Sequence, residues 1–316
     1  RQTLSYTSFI KVLVYYSPGT KGLSLIMSDI TELIMGLPCF KAPSNITPLG
    51  GGITNTNMIV VDEDGQYVVR IGRDIIEHGV MRWNELALSQ AAYQLGVSPK
   101  VIYHDTGILV LEFVDGCTFD EAAVREPENL IRVISLVAKT HRGIRKFLNS
   151  PILTFWPFQI NQTYMSRLEK DGSPYVSKFM VMKRQLQVLE IATGPVELVV
   201  GHNDLLAANI LDDGKQLWLI DWEYGGFNTP LFDLAGLAGN NGLSSLQEQQ
   251  MLEQYFDQSW QKYWRPYNAM KCISLMRETL WSMVSELYSE IEFDYAAYTL
   301  ENLSRFDSAM LDFKNT

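Results

Sequence analysis

The chain has 316 residues, of which 47% are hydrophobic, 11% aromatic and 20% charged. These fractions exclude a disordered or collagen-like chain, and the length favours two domains or two joined lobes. The formal net charge of −10 argues against a general binder of nucleic acid or of anionic membranes, and it mildly favours a cationic partner.

The cysteines and the N-terminal segment bear on the compartment of the protein. Cys39, Cys117 and Cys272 are too few and too scattered for a disulfide framework or a zinc site, which favours the cytoplasm. No run approaches the roughly 18 apolar residues of a membrane span. Residues 1–26 contain basic but no acidic residues and precede Met27, so we expect them to be a non-native or disordered extension.

The first part of the chain predicts a small β-rich lobe, residues 27–114. A glycine-rich turn at 48–52 opens it, and residues 81–95 have the spacing of one helix. Gly96 would cap that helix. Short apolar runs joined by turn signals predict two β-hairpins from four strands: 58–61, 66–71, 100–104 and 108–113.

From about residue 120 onward the pattern is helical. Long apolar periodicities cover 120–140 and 247–310, and only the stretch 198–222 interrupts them. The sequence therefore predicts an α+β protein in which residues 111–118 lead from the small lobe into a larger, mostly α-helical lobe, residues 115–316.

The segment 199–233 carries the most informative polar residues. A buried-strand run leads into a polar loop, and a hairpin then delivers one more carboxylate beside that loop. The four side chains expected to converge there are His202, Asp204, Asn209 and Asp221. Two carboxylates and one carboxamide suit a hard cation such as Mg²⁺, which is held by few protein ligands together with phosphate.

This spacing, H-x-D-x-x-x-x-N followed by an aspartate at a strand end, is similar to the catalytic loop and metal aspartate of kinase-like phosphotransferases. Asn203 stands where protein kinases carry arginine, and Trp222 and Glu223 replace their Phe-Gly. The segment IDWEYGGFNTPLFD resembles the signature of the choline/ethanolamine kinase family, and the resemblance covers about residues 45–310. It implies a bilobal protein-kinase-like fold.

The resemblance also implies the reaction, which is phosphorylation of the hydroxyl of a small cationic amino alcohol, choline or ethanolamine, by ATP and Mg²⁺. Asp204 would accept or orient the hydroxyl proton, and His202 would hold the catalytic loop. Asn209 and Asp221 would bind Mg²⁺.

Eight residues would contact the nucleotide or support that contact: Gly51, Gly52, Thr54, Asn55, Arg70, Glu85, Glu112 and Val114. The first four lie in GGITNTN, which resembles the nucleotide loop of the family, where backbone amides approach phosphate oxygens. Arg70 would hold the α- and β-phosphates. Glu85 would be its ion-pair partner, with a solvated glutamate as the alternative. Glu112 and Val114 would meet the adenine edge through their main chains.

The substrate side rests on aromatic residues. Trp281 and Tyr298 match cage positions of the family, and Tyr224 matches a tyrosine near the same pocket; aromatic faces attract ammonium groups. Ordinary core packing is the alternative for aromatic residues at helical spacing. Glu278 stands where the animal enzymes carry tryptophan, and Asn240 where they carry glutamate. Glu278 could therefore supply the anionic partner.

Three histidines lie outside the catalytic loop. We interpret His141, on a predicted helix, as a core or loop-tethering residue. His78 and His104 are interpreted as surface residues.

Several alternatives stay open. Thiamine or an aminoglycoside could be the substrate within the same fold, although the aromatic residues favour a compact pocket. A nucleotide-binding pseudokinase module is disfavoured because the expected base and metal ligands are all present. A protein kinase is disfavoured by Asn203 and by the lack of an ordinary activation segment. We expect a cytoplasmic monomer or homodimer with no nucleic-acid partner.

Overall fold

The computed structural model describes residues 20–50, 55–289 and 293–316. Contacts divide the chain into two compact units, the first reaching to Gly72 and including Ile102–Phe113. The second contains Arg73–Val101 and Val114–Thr316. The first unit is mostly strand and the second mostly helix, which confirms the predicted α+β class.

The first unit is built on a five-stranded sheet in the order β1-β2-β3-β5-β4. Its strands are β1 Ser44–Leu49, β2 Thr56–Asp62, β3 Gly65–Ile71, β4 Val101–Asp105 and β5 Ile108–Glu112. Helix α1, Thr20–Met35, packs on this sheet, because Ile34 shares a buried cluster with Met58 and Val69. The cluster gives the first unit its own core.

Both predicted hairpins are present, as is the predicted helix. Strands β2 and β3 pair antiparallel from Asp62 opposite Gly65 onward, and β4 lies hydrogen-bonded beside β5 at the edge of the sheet. Helix α2 spans Arg82–Leu95 and ends at Gly96, whose φ of 73° lies in the left-handed region. Glycine takes up that conformation without a steric penalty, which explains why the helix stops there.

The second unit contains the remaining helices of the described chain. They are α2, α3 Glu121–Arg125, α4 Pro127–Gly143, α5 Pro157–Lys170, α6 Val176–Thr193, α7 Pro230–Asn241, α8 Ser245–Phe256, α9 Trp264–Tyr288 and α10 Tyr295–Lys314. Helix α9 packs against α5, α6, α7 and α10, and most of its side chains are buried. None of the helices in the described residues is long and apolar enough to cross a membrane.

Short strands in the second unit position the polar segment 199–233. Strand β7, Val199–Gly201, pairs with β10, Gly226–Asn228. The other short sheet has the order β6-β8-β9, with β6 Cys117–Thr118, β8 Ile210–Asp212 and β9 Leu217–Leu219. The loop after β7 and the segment after β9 both carry predicted site residues.

Candidate active site

The loop after β7 is held by one buried carboxylate, Asp233, in the first turn of α7. Its oxygens accept the backbone N–H groups of His202 at 2.8 Å and of Asn203 at 2.7 Å. Gly201 leaves room for this contact, because a Cβ there would lie 2.9 Å from Asp233 Oδ2. Asp233 was not among the predicted site residues, since its only local signal is its place at a helix start.

His141 on α4 completes this anchor. Its Nε2–H donates to Asp233 Oδ2 at 2.8 Å, and its Nδ1 lies 2.8 Å from the hydroxyl of Tyr255. The interpretation of His141 as a core or loop-tethering residue is confirmed, because it is buried and bonds to the carboxylate that holds the loop. Burial alone would raise the pKa of Asp233, but the hydrogen bond and charge of His141, with the contribution of His202, hold that pKa below its ordinary value.

Replacing Asp233 by Asn should lower the free energy of unfolding by about 3 kcal/mol, because an amide cannot accept from three N–H donors as a carboxylate does. Since the folded pKa of Asp233 is depressed, its stabilisation is fully present above about pH 4 and is lost as the pH falls through the folded pKa. Thermal melts from pH 3 to 7 test both effects. Asp307→Asn, an exposed change, is the control; equal Tm values for the two variants would contradict the prediction.

His202 joins the loop to the segment that carries Asp221. Its Nε2–H donates to the carbonyl of Ile220 at 2.9 Å, and its ring packs 4.8 Å from that of Trp222. Burial lowers the pKa of His202, so the ring is a neutral donor. Asp221 comes next, with a φ of 66° that an aspartate tolerates better than most residues.

Asn203 holds the loop through buried hydrogen bonds. Its φ is 65°, and its amide donates to the carbonyl of Tyr224 at 2.9 Å and accepts from Asn228 at 2.9 Å. A side chain committed to these buried contacts fixes the loop from inside the fold. The loop is thus tied to the segment that leads to Tyr224.

Asp204 and Asn209 lie in direct contact. The amide nitrogen of Asn209 donates to the Asp204 carbonyl at 2.9 Å and to its Oδ2 at 3.3 Å, and the backbone N–H of Ile220 donates to the Asn209 carbonyl at 3.0 Å. Burial raises the pKa of Asp204 to about 8, opposed by Arg277. Three neighbouring acids add to the rise: Glu278, Asp221 and Glu223.

The donors present suit Mg²⁺. Because the amide nitrogen of Asn209 is used by Asp204, its oxygen is the atom left to ligate, and Asp221 follows the residue that pairs with Asn209. Mg²⁺ commonly takes one or two protein oxygens and completes its shell with phosphate and water. Within the described ranges no group of three or more His, Cys, Asp or Glu could hold a metal, so a site made by protein side chains alone is not found there.

The four predicted substrate residues lie in one connected cluster. Trp281 Nε1–H donates to the hydroxyl of Tyr224 at 3.0 Å, and the hydroxyl of Tyr298 donates to Glu278 Oε1 at 2.8 Å. Arg277 joins the two pairs: its Nη1 donates to Glu278 Oε2 at 2.8 Å, and its Cζ lies 4.4 Å from the ring centre of Tyr224. Arg277 was not among the predicted site residues, because an arginine is seldom fully buried and apolar neighbours do not reveal its direction.

The interpretation of His78 as a surface residue is wrong. Its ring centre lies 5.2 Å from that of Trp281, and its nitrogens lie 3.1 Å from the hydroxyls of Tyr164 and Ser285. The turn before α2 brings it to α9, more than 200 residues away in the chain. Burial, with Arg277 and Arg167 nearby, lowers the pKa of His78 to about 3. A lone histidine in a turn carries no sequence signal of this contact.

The predicted nucleotide residues fall in both units. Gly51, Gly52 and Thr54 lie outside the described residues, and Asn55 directly precedes β2. Arg70 is buried in β3, opposite Asn57 of β2 and Leu109 of β5. Glu112 ends β5.

Two of the predicted nucleotide residues, Glu85 and Val114, belong to the second unit. Val114 is its first residue after β5, and Glu85 is buried in α2. Arg82 Nη1 donates to Glu85 at 2.6 Å and to Glu223 at 3.2 Å, which ties α2 to the segment after Asp221. The pairing of Glu85 with Arg70 stays a prediction.

Comparisons with known proteins agree with the predicted resemblance. The family model described as choline/ethanolamine kinase matches residues 46–240, more than half of the chain. Protein LicA of Haemophilus influenzae is 25% identical, over 80% of this chain and 76% of that protein. Human ethanolamine kinase 2 is 28% identical, over 81% of this chain and 73% of that protein.

A solved structure gives the same result for the fold. The crystal structure of choline kinase LicA from Streptococcus pneumoniae has a TM-score of 0.73 at 24% identity, covering 90% of this chain and 99% of that chain. The family-model match, which extends from β1 through the loop after β7 into α7, is the finding that assigns the chain. The chain belongs to the choline/ethanolamine kinase family.

Proposed function

We propose that the chain transfers the γ-phosphoryl group of ATP to the hydroxyl of choline or ethanolamine, with Mg²⁺ held by Asn209 and Asp221. Membership of the family makes it a small-molecule phosphotransferase that acts on amino alcohols and uses a nucleotide. The contact between Asp204 and Asn209, on a loop anchored by Asp233, is the observation that carries the assignment of residues.

Asp204 acts on the hydroxyl of the amino alcohol. Its carboxylate accepts the hydroxyl proton, or orients it, as the oxygen bonds to the γ-phosphorus, the bond from that phosphorus to the β,γ-bridging oxygen breaks, and ADP leaves. The hydrogen bond from Asn209 to Oδ2 fixes the carboxylate, and the two backbone bonds to Asp233 fix the loop. Such positioning matters because phosphoryl transfer depends mostly on alignment and electrostatics.

Two oxygen ligands hold the metal. The amide oxygen of Asn209 and the carboxylate of Asp221 are hard donors of the kind that Mg²⁺ prefers. Mg²⁺, when bound, neutralises charge on the β- and γ-phosphate oxygens. On the first unit, Arg70 and the glycine-loop residues Gly51, Gly52, Thr54 and Asn55 would hold the phosphates. Glu85 would support Arg70, and Glu112 and Val114 would meet the adenine through their main chains.

The amine side of the substrate is assigned to Tyr224, Glu278, Trp281 and Tyr298. Glu278 brings a negative charge, and the cluster is linked by hydrogen bonds that keep it compact. A compact cluster fits an amino alcohol better than a large aminoglycoside.

Release of ADP tests the function against the open alternatives. The purified chain is incubated with Mg-ATP and choline, ethanolamine, thiamine or kanamycin, and we expect turnover with choline or ethanolamine. Turnover confined to thiamine or kanamycin would contradict the proposed substrate. No turnover across the panel, with ATP still bound, would indicate a nucleotide-binding module.

We propose that this reaction takes place in the cytoplasm. It requires neither a nucleic-acid partner nor a membrane span. The three cysteines are unpaired, as expected in a reducing compartment. Burial raises the pKa of the Cys272 thiol to about 12, so this thiol stays protonated and unreactive.

A further inference from the structure

Arg277 is a buried cation in the middle of the longest helix in the described residues. It is 4% exposed, and only its Nη1 has a hydrogen-bond partner there, Glu278; Nε and Nη2 have none. Burying a guanidinium costs several kcal/mol unless other contacts compensate. The single pair with Glu278 leaves much of that cost to be offset by something else.

Aromatic faces supply part of the compensation, beside the nearby carboxyl of Asp204. The Arg277 Cζ lies 4.4 Å from the ring centre of Tyr224 and 5.8 Å from that of Phe155, both within the range of cation–π attraction. The face of Tyr224 is therefore already covered by a cation of the protein itself. Its hydroxyl is used as well, by Trp281.

The ring of Trp281 is also in contact with other side chains of the protein. The ring of His78 lies 5.2 Å from it at 31°, and the ring of Tyr295 meets it edge-on at 6.1 Å. The third aromatic residue assigned to the cage, Tyr298, meets the ring of Phe293 edge-on at 5.7 Å, so all three rings contact other side chains of the protein. Less aromatic surface is left for a cationic ligand than the sequence implies.

Glu278 offers another way to hold an amine. Its Oε2 accepts from Arg277 and its Oε1 from Tyr298, which leaves lone pairs on both oxygens, and its side chain is 18% exposed. A primary ammonium has three N–H donors and can hydrogen-bond to this carboxylate. A trimethylammonium has no donor, and its binding depends on aromatic faces.

We infer that Arg277 is a specificity-determining residue: it occupies the aromatic surface that a quaternary ammonium needs, so that the enzyme selects amino alcohols with a primary amine held by Glu278. The inference rests on the proposed function, since it concerns the amine of the same substrate. Ethanolamine is then the better substrate, and each added N-methyl group removes a donor or adds bulk against the guanidinium.

The test measures kcat/KM for ethanolamine, its N-methyl and N,N-dimethyl derivatives, and choline. For the native chain we expect a stepwise fall that reaches about 10- to 100-fold at choline. Arg277→Met frees the face of Tyr224 and should shift the choline-to-ethanolamine ratio by at least about tenfold towards choline. Arg277→Lys, which keeps a cation at this position, should retain most of the native preference for ethanolamine over choline.

The matched control is Arg265→Met, on an exposed position of the same helix, which should leave the ratio unchanged. A native chain that uses choline as well as ethanolamine would overturn the inference and leave the proposed function standing. So would a folded Arg277→Met variant, judged by its Tm, with an unchanged ratio. If none of the four alcohols is phosphorylated while ATP binds, the proposed function fails first. The kcat/KM series of the native chain with the four amino alcohols does not depend on the folding of any variant.

Discussion

Replacing Asp204 by Asn should lower kcat about 10³-fold and leave the affinity for ATP nearly unchanged. The amide keeps the shape of the side chain and its contact with Asn209 but cannot accept the hydroxyl proton of the substrate. The loop should stay in place, because Asp233 and His202 hold it through contacts that do not involve the Asp204 side chain.

Steady-state kinetics with ethanolamine and choline, together with calorimetric titration of ATP, separate these effects. Asp307→Asn, on the exposed side of α10, serves as the matched control and should behave as the native chain. Near-normal turnover of Asp204→Asn would remove Asp204 from the chemistry. Loss of ATP binding together with turnover would instead indicate that the loop had been displaced.

Replacing Asp221 by Asn should lower kcat about 10²- to 10³-fold and raise the Mg²⁺ concentration needed for half-maximal rate. The change removes a negative charge from the proposed metal site and leaves a neutral, weaker ligand. A neutral donor also offsets less of the cation's charge, so saturating Mg²⁺ should recover only part of the rate.

Asp212→Asn is the matched control for this prediction. Asp212 lies on the same hairpin, but its two carboxylate oxygens are paired with Arg132 at 2.7 and 2.9 Å. That variant should lose some stability and keep the native Mg²⁺ dependence. Superimposable Mg²⁺ titrations for Asp221→Asn and the native chain would exclude Asp221 as the metal ligand.

Features encoded over a few neighbouring residues could be predicted from the sequence. The β2–β3 hairpin follows from two apolar runs around a tight turn, and the end of α2 follows from Gly96. The spacing of Asp204 and Asn209 likewise indicated that they lie close together, because they are only five positions apart with one short helical turn between them. Local geometry sufficed in each case.

Features that depend on distant packing could not be predicted. Asp233 lies 30 or more residues from the amides that it binds, and His78 lies 207 residues from Ser285. The resemblance to a family supplied Tyr224 and Trp281 as substrate residues but could not show that Arg277 covers a ring face. That depends on the direction of one side chain in the interior, which no periodicity encodes.

The separate positions of the loop anchor at Asp233 and of the buried residues of α9 bear on how such enzymes diverge. The loop that carries Asp204 and Asn209 is anchored from α7 and α4, whereas Arg277 and Glu278 belong to α9. Exchanges at positions 277 and 278 would therefore leave the anchor of the loop intact, but Arg277 lowers and Glu278 raises the pKa of Asp204. A change of amine preference would then favour paired exchanges at the two positions, in which these opposing effects stay balanced.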